Sequence, residues 1–338
     1  VAAPPSRPLD DWRYRITWQP AGFTNHALSG TWVLVGDDPD ATSIAEALTV
    51  HGADVLRVND PDELNATMLT NASGVVSLLA LDQTPDAEFP WVPRGTAATV
   101  DLVKAVHQAG LDVPVWLLTR GAVQTGAGEV TTSPAQTAVW GLGRAVGLER
   151  PGLWGGLIDL PVEFDARAGD DLVSVLAQNV EDQAALRPHG VFVRRLVHAQ
   201  TRDTVVPWTP RGTVLLTGGT GSIGVSVGEW LAGRGAQRVV LTSRSGPSAP
   251  GVASLAASVA GGGSGVEVLS CDLGSPEQVA GMVNWIEDSG PGLSTVLHSA
   301  NLPYLAWVEN TEREGLAAAL GAKALGAVHL DQATMGLD

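Results

Sequence analysis

Apolar residues occupy every second position of Trp12-Arg13-Tyr14-Arg15-Ile16-Thr17-Trp18. That period puts Trp12, Tyr14, Ile16 and Trp18 on one face of a strand. Gln19-Pro20-Ala21-Gly22 ends it. Short apolar runs then recur at residues 31–35, 55–58, 75–81, 113–118, 155–160 and 191–197, and each predicts a strand. Segments with a helical period lie between many of them, at 41–51, 99–109, 132–149 and 170–179. Within the third of these, Gly141-Leu142-Gly143-Arg144 reads as a turn. Alternating strands and helices predict a parallel sheet covered by helices. The polar, proline-marked stretch 198–211 is the best boundary, dividing a first subdomain (1–207) from a second (208–338).

The second half repeats the pattern with one addition. Val214-Leu215-Leu216 ends in Thr217 and runs straight into Gly218-Gly219-Thr220-Gly221-Ser222-Ile223-Gly224. Ile223, Val227, Trp230 and Leu231 then recur at helical spacing. Strand, glycine turn and helix form the context in which a glycine pattern cradles a diphosphate. Gly218, Gly221 and Gly224 supply backbone freedom and close approach. The helix start supplies free N–H groups and a positive dipole end. A second strand, 239–242, ends in Ser243-Arg244. An NAD site usually carries an acid there, whereas an arginine suits a 2′-phosphate, so the cofactor expected is NADPH. The bland alternative is a surface arginine at a strand end. A third strand, 266–271, ends in Cys271-Asp272-Leu273, and a fourth, 294–298, in His298-Ser299-Ala300-Asn301. A long helix, 312–332, carries Lys323. The first half has no such loop: after Val35 come Gly36 and two aspartates, which would repel a diphosphate. The fold class expected is α/β, two Rossmann-like parallel-sheet subdomains, with the cofactor loop in the second.

Composition narrows the function. A formal net charge of −16 argues against nucleic acid. No apolar run is long enough to span a bilayer, and the first residues lack the basic-then-apolar order of a signal peptide. The expected location is the cytosol. One cysteine excludes an internal disulfide, and the seven histidines include no H-x-x-x-H pair, so no metal is expected. Gly224-Val225-Ser226-Val227-Gly228 matches the hydrolase G-x-S-x-G pattern, but Ser226 falls in the first turns of a helix rather than at a strand-to-helix elbow.

TGGTGSIG at 217–224, SRSG at 243–246, CDL at 271–273, HSAN at 298–301 and AKALGAVHL at 322–330 come in that order. So arranged, they resemble the ketoreductase domain of a modular type I polyketide synthase, within the short-chain dehydrogenase/reductase superfamily. The first half resembles the same domain's non-catalytic part. The resemblance implies NADPH-dependent reduction of a β-ketoacyl group carried through phosphopantetheine on an acyl carrier protein, beside neighbouring synthase domains. It also implies that Asp272 holds the adenine. Spacing alone leaves open that Asp272 caps the helix beginning near Ser275. Ser299, Ala300 and Asn301 would run under the nicotinamide ribose. Lys323 would be the catalytic lysine that keeps a proton-donating tyrosine acidic.

Two departures from the family pattern stand out. The family's serine strand and tyrosine helix would follow residue 338, and neither Tyr14 nor Tyr304 precedes a lysine by four residues. Asn301 stands where the family usually has glycine, so its side chain would obstruct the cofactor or force an unusual backbone angle. Leu302–Trp307 also lacks the Leu-Asp-Asp of one stereochemical class. The chain thus resembles either the opposite class or a class that no longer reduces, and is structural or epimerises the α-carbon.

Overall fold

A computed structural model describes residues 12–24, 27–199 and 208–337. The signal-peptide reading of the first residues and most of the boundary stretch, 200–207, fall outside them. The chain forms two compact units, Val1–Arg202 with Ala306–Glu312, and Asp203–Leu305 with Arg313–Asp338.

The first unit runs β1 (Tyr14–Ala21), β2 (Thr31–Val35), α1 (Ala41–Val50), β3 (Asp54–Val58), α2 (Ala66–Thr70), β4 (Ala72–Ser77), α3 (Arg94–Gln108), β5 (Val115–Arg120), α4 (Thr137–Glu149), β6 (Trp154–Leu160), α5 (Ala166–Gln178), β7 (Gln183–Arg187) and β8 (Gly190–His198). Its eight strands lie in the order β1-β8-β7-β6-β5-β4-β2-β3. From β3 to β7 the pairs are parallel, while β7–β8 and β8–β1 are antiparallel. Alternation along each strand builds two cores. Trp32, Leu34, Trp116 and Leu118 face α1 and α5, while Val33, Val35, Val115 and Leu117 face α3 and α4.

Several local expectations are corrected. The strand expected at 75–81 stops at Ser77, whose hydroxyl accepts from the Leu79 N–H (3.3 Å), and Leu79–Leu81 form a 3₁₀ turn. Gly141–Arg144 is not a turn but helix interior. Gly143 is there for close packing, since a Cβ would lie 2.6 Å from the Trp154 ring. The β1 face is largely open, with Trp12, Tyr14 and Ile16 exposed. Only Trp18 reaches the core, edge-on to Trp140 with centroids 5.7 Å apart. The return segment Ala306–Glu312 buries Val308 in this unit's core. There the Val308 N–H donates to Glu149 (2.8 Å), and Arg150 pairs with Glu309.

The second unit runs β9 (Thr213–Thr217), α6 (Ser222–Gly233), β10 (Arg238–Ser243), α7 (Val252–Gly261), β11 (Gly265–Ser270), α8 (Pro276–Ser289), β12 (Leu293–His298), α9 (Arg313–Leu320), a π-helical turn (Gly321–Leu325) and α10 (Gly326–Thr334). The sheet is wholly parallel in the order β11-β10-β9-β12. Leu216 and Leu241 pack on α6 and α7, and Leu215 and Val240 on α8 and α10. The chain winds outward from β9 through β10 to β11, then crosses to β12. The crevice between β9 and β12 is therefore the topological switch point, where open α/β sheets hold ligands.

Candidate cofactor cleft

At the carboxyl ends of β9, β10, β11 and β12 lies a cleft of about 420 Å³. Every residue expected to touch the cofactor lines it except Gly219. Gly219 lies beneath the wall, its N–H donating to the Thr242 carbonyl (3.0 Å). Thr242, Ser245, Leu302, Pro303 and Ala322, none of which was expected to touch the cofactor, also line it. Thr242 and Ser245 flank the strand-end pair already named, but Ala322 arrives through the fold alone.

Backbone geometry shapes the loop. Gly218 has φ +66°, and a Cβ on it would lie 2.8 Å from the Ala300 backbone. Gly221 does not share that conformation: it is extended and caps α6 with no side-chain hydrogen bond. The first N–H groups of α6 thus have no side-chain cap and face the cleft, with the helix dipole behind them. Gly224 serves close packing, since a Cβ would stand 2.3 Å from the Gly219 carbonyl oxygen.

The opposite wall is polar. Ser243 Oγ accepts from the Gly246 N–H (3.0 Å) and the Arg244 carbonyl accepts from Ser270 (2.7 Å), which fixes the chain around Arg244. The Arg244 side chain is exposed and makes no ion pair among the described residues. Asp272 does not cap α8. That cap is Ser275, which accepts from Gln278 (3.3 Å), while Asp272 closes a local turn onto Gly274 (3.0 Å). Asn301 is exposed at the cleft and its backbone is not strained, because Asn179 alone among the described non-glycine residues has positive φ. Lys323 sits in the π-helical turn, exposed and one residue past the cleft-lining Ala322. Ser226 lies on the exposed side of α6, far from a nucleophile elbow.

Cys271 lines the same cleft, yet its side chain is buried. Burial, helped by the Asp272 charge beside it, pushes the thiol up to about 11 from an ordinary 9.0. The reactive thiolate is then roughly a hundredfold scarcer near neutral pH than in the unfolded chain. Iodoacetamide at pH 8 is expected to label folded protein at least about tenfold more slowly than urea-unfolded protein, read by mass spectrometry. Equal rates would contradict this burial.

In the first unit the turn after β2 is tightly packed: a Cβ on Gly36 would lie 3.1 Å from the Leu79 nitrogen and 3.2 Å from the Leu78 Cβ, and Arg120 pairs with Asp40 at the start of α1. That unit's larger cleft, about 650 Å³, lies elsewhere. Its one strongly buried cation, Arg187, is already committed to Glu129 (3.1 Å) and the fully buried Asp159 (2.9 Å). Among the described residues, no group of three or more His, Cys, Asp or Glu could hold a metal ion. No described helix is long and apolar enough to cross a membrane.

A family model described as "KR domain" matches residues 212–338. Another, for the Rossmann fold domain of the polyketide synthase extender module SpnB, matches 16–196. Polyketide synthase GfsA of Streptomyces halstedii is 42% identical across 97% of this chain, and this chain spans 5% of its length. Pikromycin polyketide synthase component PikAIII of Streptomyces venezuelae is 37% identical across 98% of the chain, which spans 21% of it. An A-type ketoreductase structure from a modular polyketide synthase superposes with TM-score 0.86 at 37% identity, covering 98% of this chain and 74% of that one. A C2-type ketoreductase superposes equally well, with TM-score 0.86 at 36% identity, covering 97% and 73%. A glycine-rich turn at the switch point and these likenesses lead to one assignment: the chain belongs to the ketoreductase family of modular polyketide synthases, a family of nicotinamide-dependent oxidoreductases.

Proposed function

We propose that this chain binds NADPH and serves the reduction of a β-ketoacyl group carried on an acyl carrier protein, in the cytosol and beside neighbouring synthase domains. Residues 208–338, apart from the return segment 306–312 that packs in the first unit, form the cofactor-binding subdomain, and residues 1–207 are structural and bind no nucleotide. The observation that carries this reading is the pairing within one cleft of an uncapped helix start with an arginine that has no ion-pair partner among the described residues. The cradle fits a diphosphate because Gly218 lets the turn pack against the Ala300 backbone and Gly221 starts α6 with no side-chain cap on its first N–H groups.

The turn residues Gly218, Thr220 and Gly221 and the amides of Ser222 and Ile223 are assigned to the diphosphate, Ser243 and Arg244 to the 2′-phosphate. Asp272, between Cys271 and Leu273, is assigned to the adenine, and Ser299, Ala300 and Asn301 to the nicotinamide ribose. Bound there, the cofactor supplies a hydride for the β-carbon. Lys323 supplies the positive charge that keeps a proton-donating phenol acidic.

Asn301 favours a second reading, in which the cleft binds cofactor but the domain does not reduce, and is structural or epimerises the α-carbon. Titrating NADPH fluorescence against the intact protein, then following nicotinamide absorbance with a β-ketoacyl thioester, separates the two. Binding with turnover supports the first reading, and binding without turnover supports the second. No binding removes both cofactor assignments.

A further inference from the structure

His298 ends β12 with both ring nitrogens engaged. Nδ1 lies 2.7 Å from the Thr217 hydroxyl at the end of β9, and Nε2 lies 2.9 Å from the Lys323 carbonyl oxygen. A carbonyl can only accept, so Nε2 carries a proton and donates it. In the neutral ring Nδ1 is then bare and accepts from the Thr217 hydroxyl. Thr217 is fully buried, and its carbonyl accepts from Ser299 Oγ at 2.7 Å, so the far end of this chain of bonds is fixed.

The near end is not an ordinary helix. Lys323 occupies the π-helical turn Gly321–Leu325 between α9 and α10. Such turns are rare, mostly single-turn bulges within α-helices, and are frequent at functional sites. Here the surroundings are specific. Just past the turn, a Cβ on Gly326 would lie 2.9 Å from the Leu273 Cβ and 3.6 Å from the His298 ring. One helical turn on, His329 bonds the Leu273 carbonyl at 2.8 Å.

We infer that His298 is a positioning residue: its imidazole ties Thr217 to the Lys323 carbonyl, and so sets where the π-helical turn presents Lys323 beside the cofactor cleft. Its bearing on turnover rests on the reading of Lys323 given above; the clamp itself does not.

The test compares His298→Phe, which fills the ring's space without a donor, with His298→Gln, whose amide N–H can reach the same carbonyl. Two measurements are made on the intact protein. Amide exchange across residues 321–330 is expected to quicken about fivefold or more in the Phe variant and to return near wild type in the Gln variant. With a β-ketoacyl thioester, kcat is expected to fall about tenfold in the Phe variant, with KM for NADPH within about twofold and most of kcat recovered by glutamine. Should the Phe variant not fold, Thr217→Val, which keeps the shape but loses the hydroxyl, is expected to quicken exchange in the same segment. Unchanged exchange in the folded variants, or a Gln variant no better than Phe, overturns the inference. A wild type that binds NADPH without turning over sinks the reductase reading, while the exchange comparison still decides His298.

Discussion

Arg244→Ala weakens NADPH binding by about 10- to 100-fold and leaves NADH binding within about threefold. The range follows from losing one charge-assisted contact to a phosphate, about 1.5–3 kcal/mol, at 1.4 kcal/mol per decade. The selectivity follows because NADH carries nothing for the guanidinium to meet. The Arg244 backbone is held independently, through its carbonyl to Ser270 and through Ser243 to Gly246, so truncating the side chain leaves the loop in place. Fluorescence titration of both cofactors measures it. Equal losses for the two would mean that Arg244 shapes the loop rather than reads the 2′-phosphate.

Gly224→Val has a larger effect for a different reason. The new Cβ would meet the carbonyl oxygen, carbonyl carbon and Cα of Gly219 at 2.3, 2.5 and 2.6 Å. These are backbone atoms of the cradle itself, so the turn must open or the helix must withdraw. Overpacking of this kind costs about 1–3 kcal/mol, occasionally more, and the displaced amides no longer converge on the diphosphate. NADPH affinity is expected to fall more than about 100-fold, since several charge-assisted bonds are lost together. Gly233→Ala, at the other end of α6 with nothing near its Cβ, is the control. It is expected to bind normally, and to be neutral or up to about 1 kcal/mol more stable. Binding by Gly224→Val within tenfold of wild type would contradict the proposed role of the cradle.

Where the sequence was legible, the cause was periodicity or chemistry confined to one segment. The central parallel strands β2, β5, β9 and β10 announce themselves as apolar runs because both of their faces are covered. The cleft's residues were visible because glycine turn and strand ends lie in short contiguous motifs. Features decided by distant neighbours were not visible. Strand β7 reads Gln183-Ala184-Ala185-Leu186-Arg187, too short and mixed to stand out, and becomes a strand by pairing with β6 and β8. Gly143 looked like a turn residue until the Trp154 ring was placed against it. The capping alternative for Asp272 failed because Ser275, three residues on, takes the cap. The π-helical turn around Lys323 has no local signature at all, since its partners come from β9 and β12 through Thr217 and His298.

A crystal structure of the intact protein grown with NADPH tests the central claim most directly. The expected result is the diphosphate over the Gly218–Ile223 turn, against the free amides of Ser222 and Ile223 at the start of α6, with the 2′-phosphate in hydrogen-bond reach of Arg244. A cofactor bound anywhere else, or that cleft left empty at saturating NADPH, would contradict it.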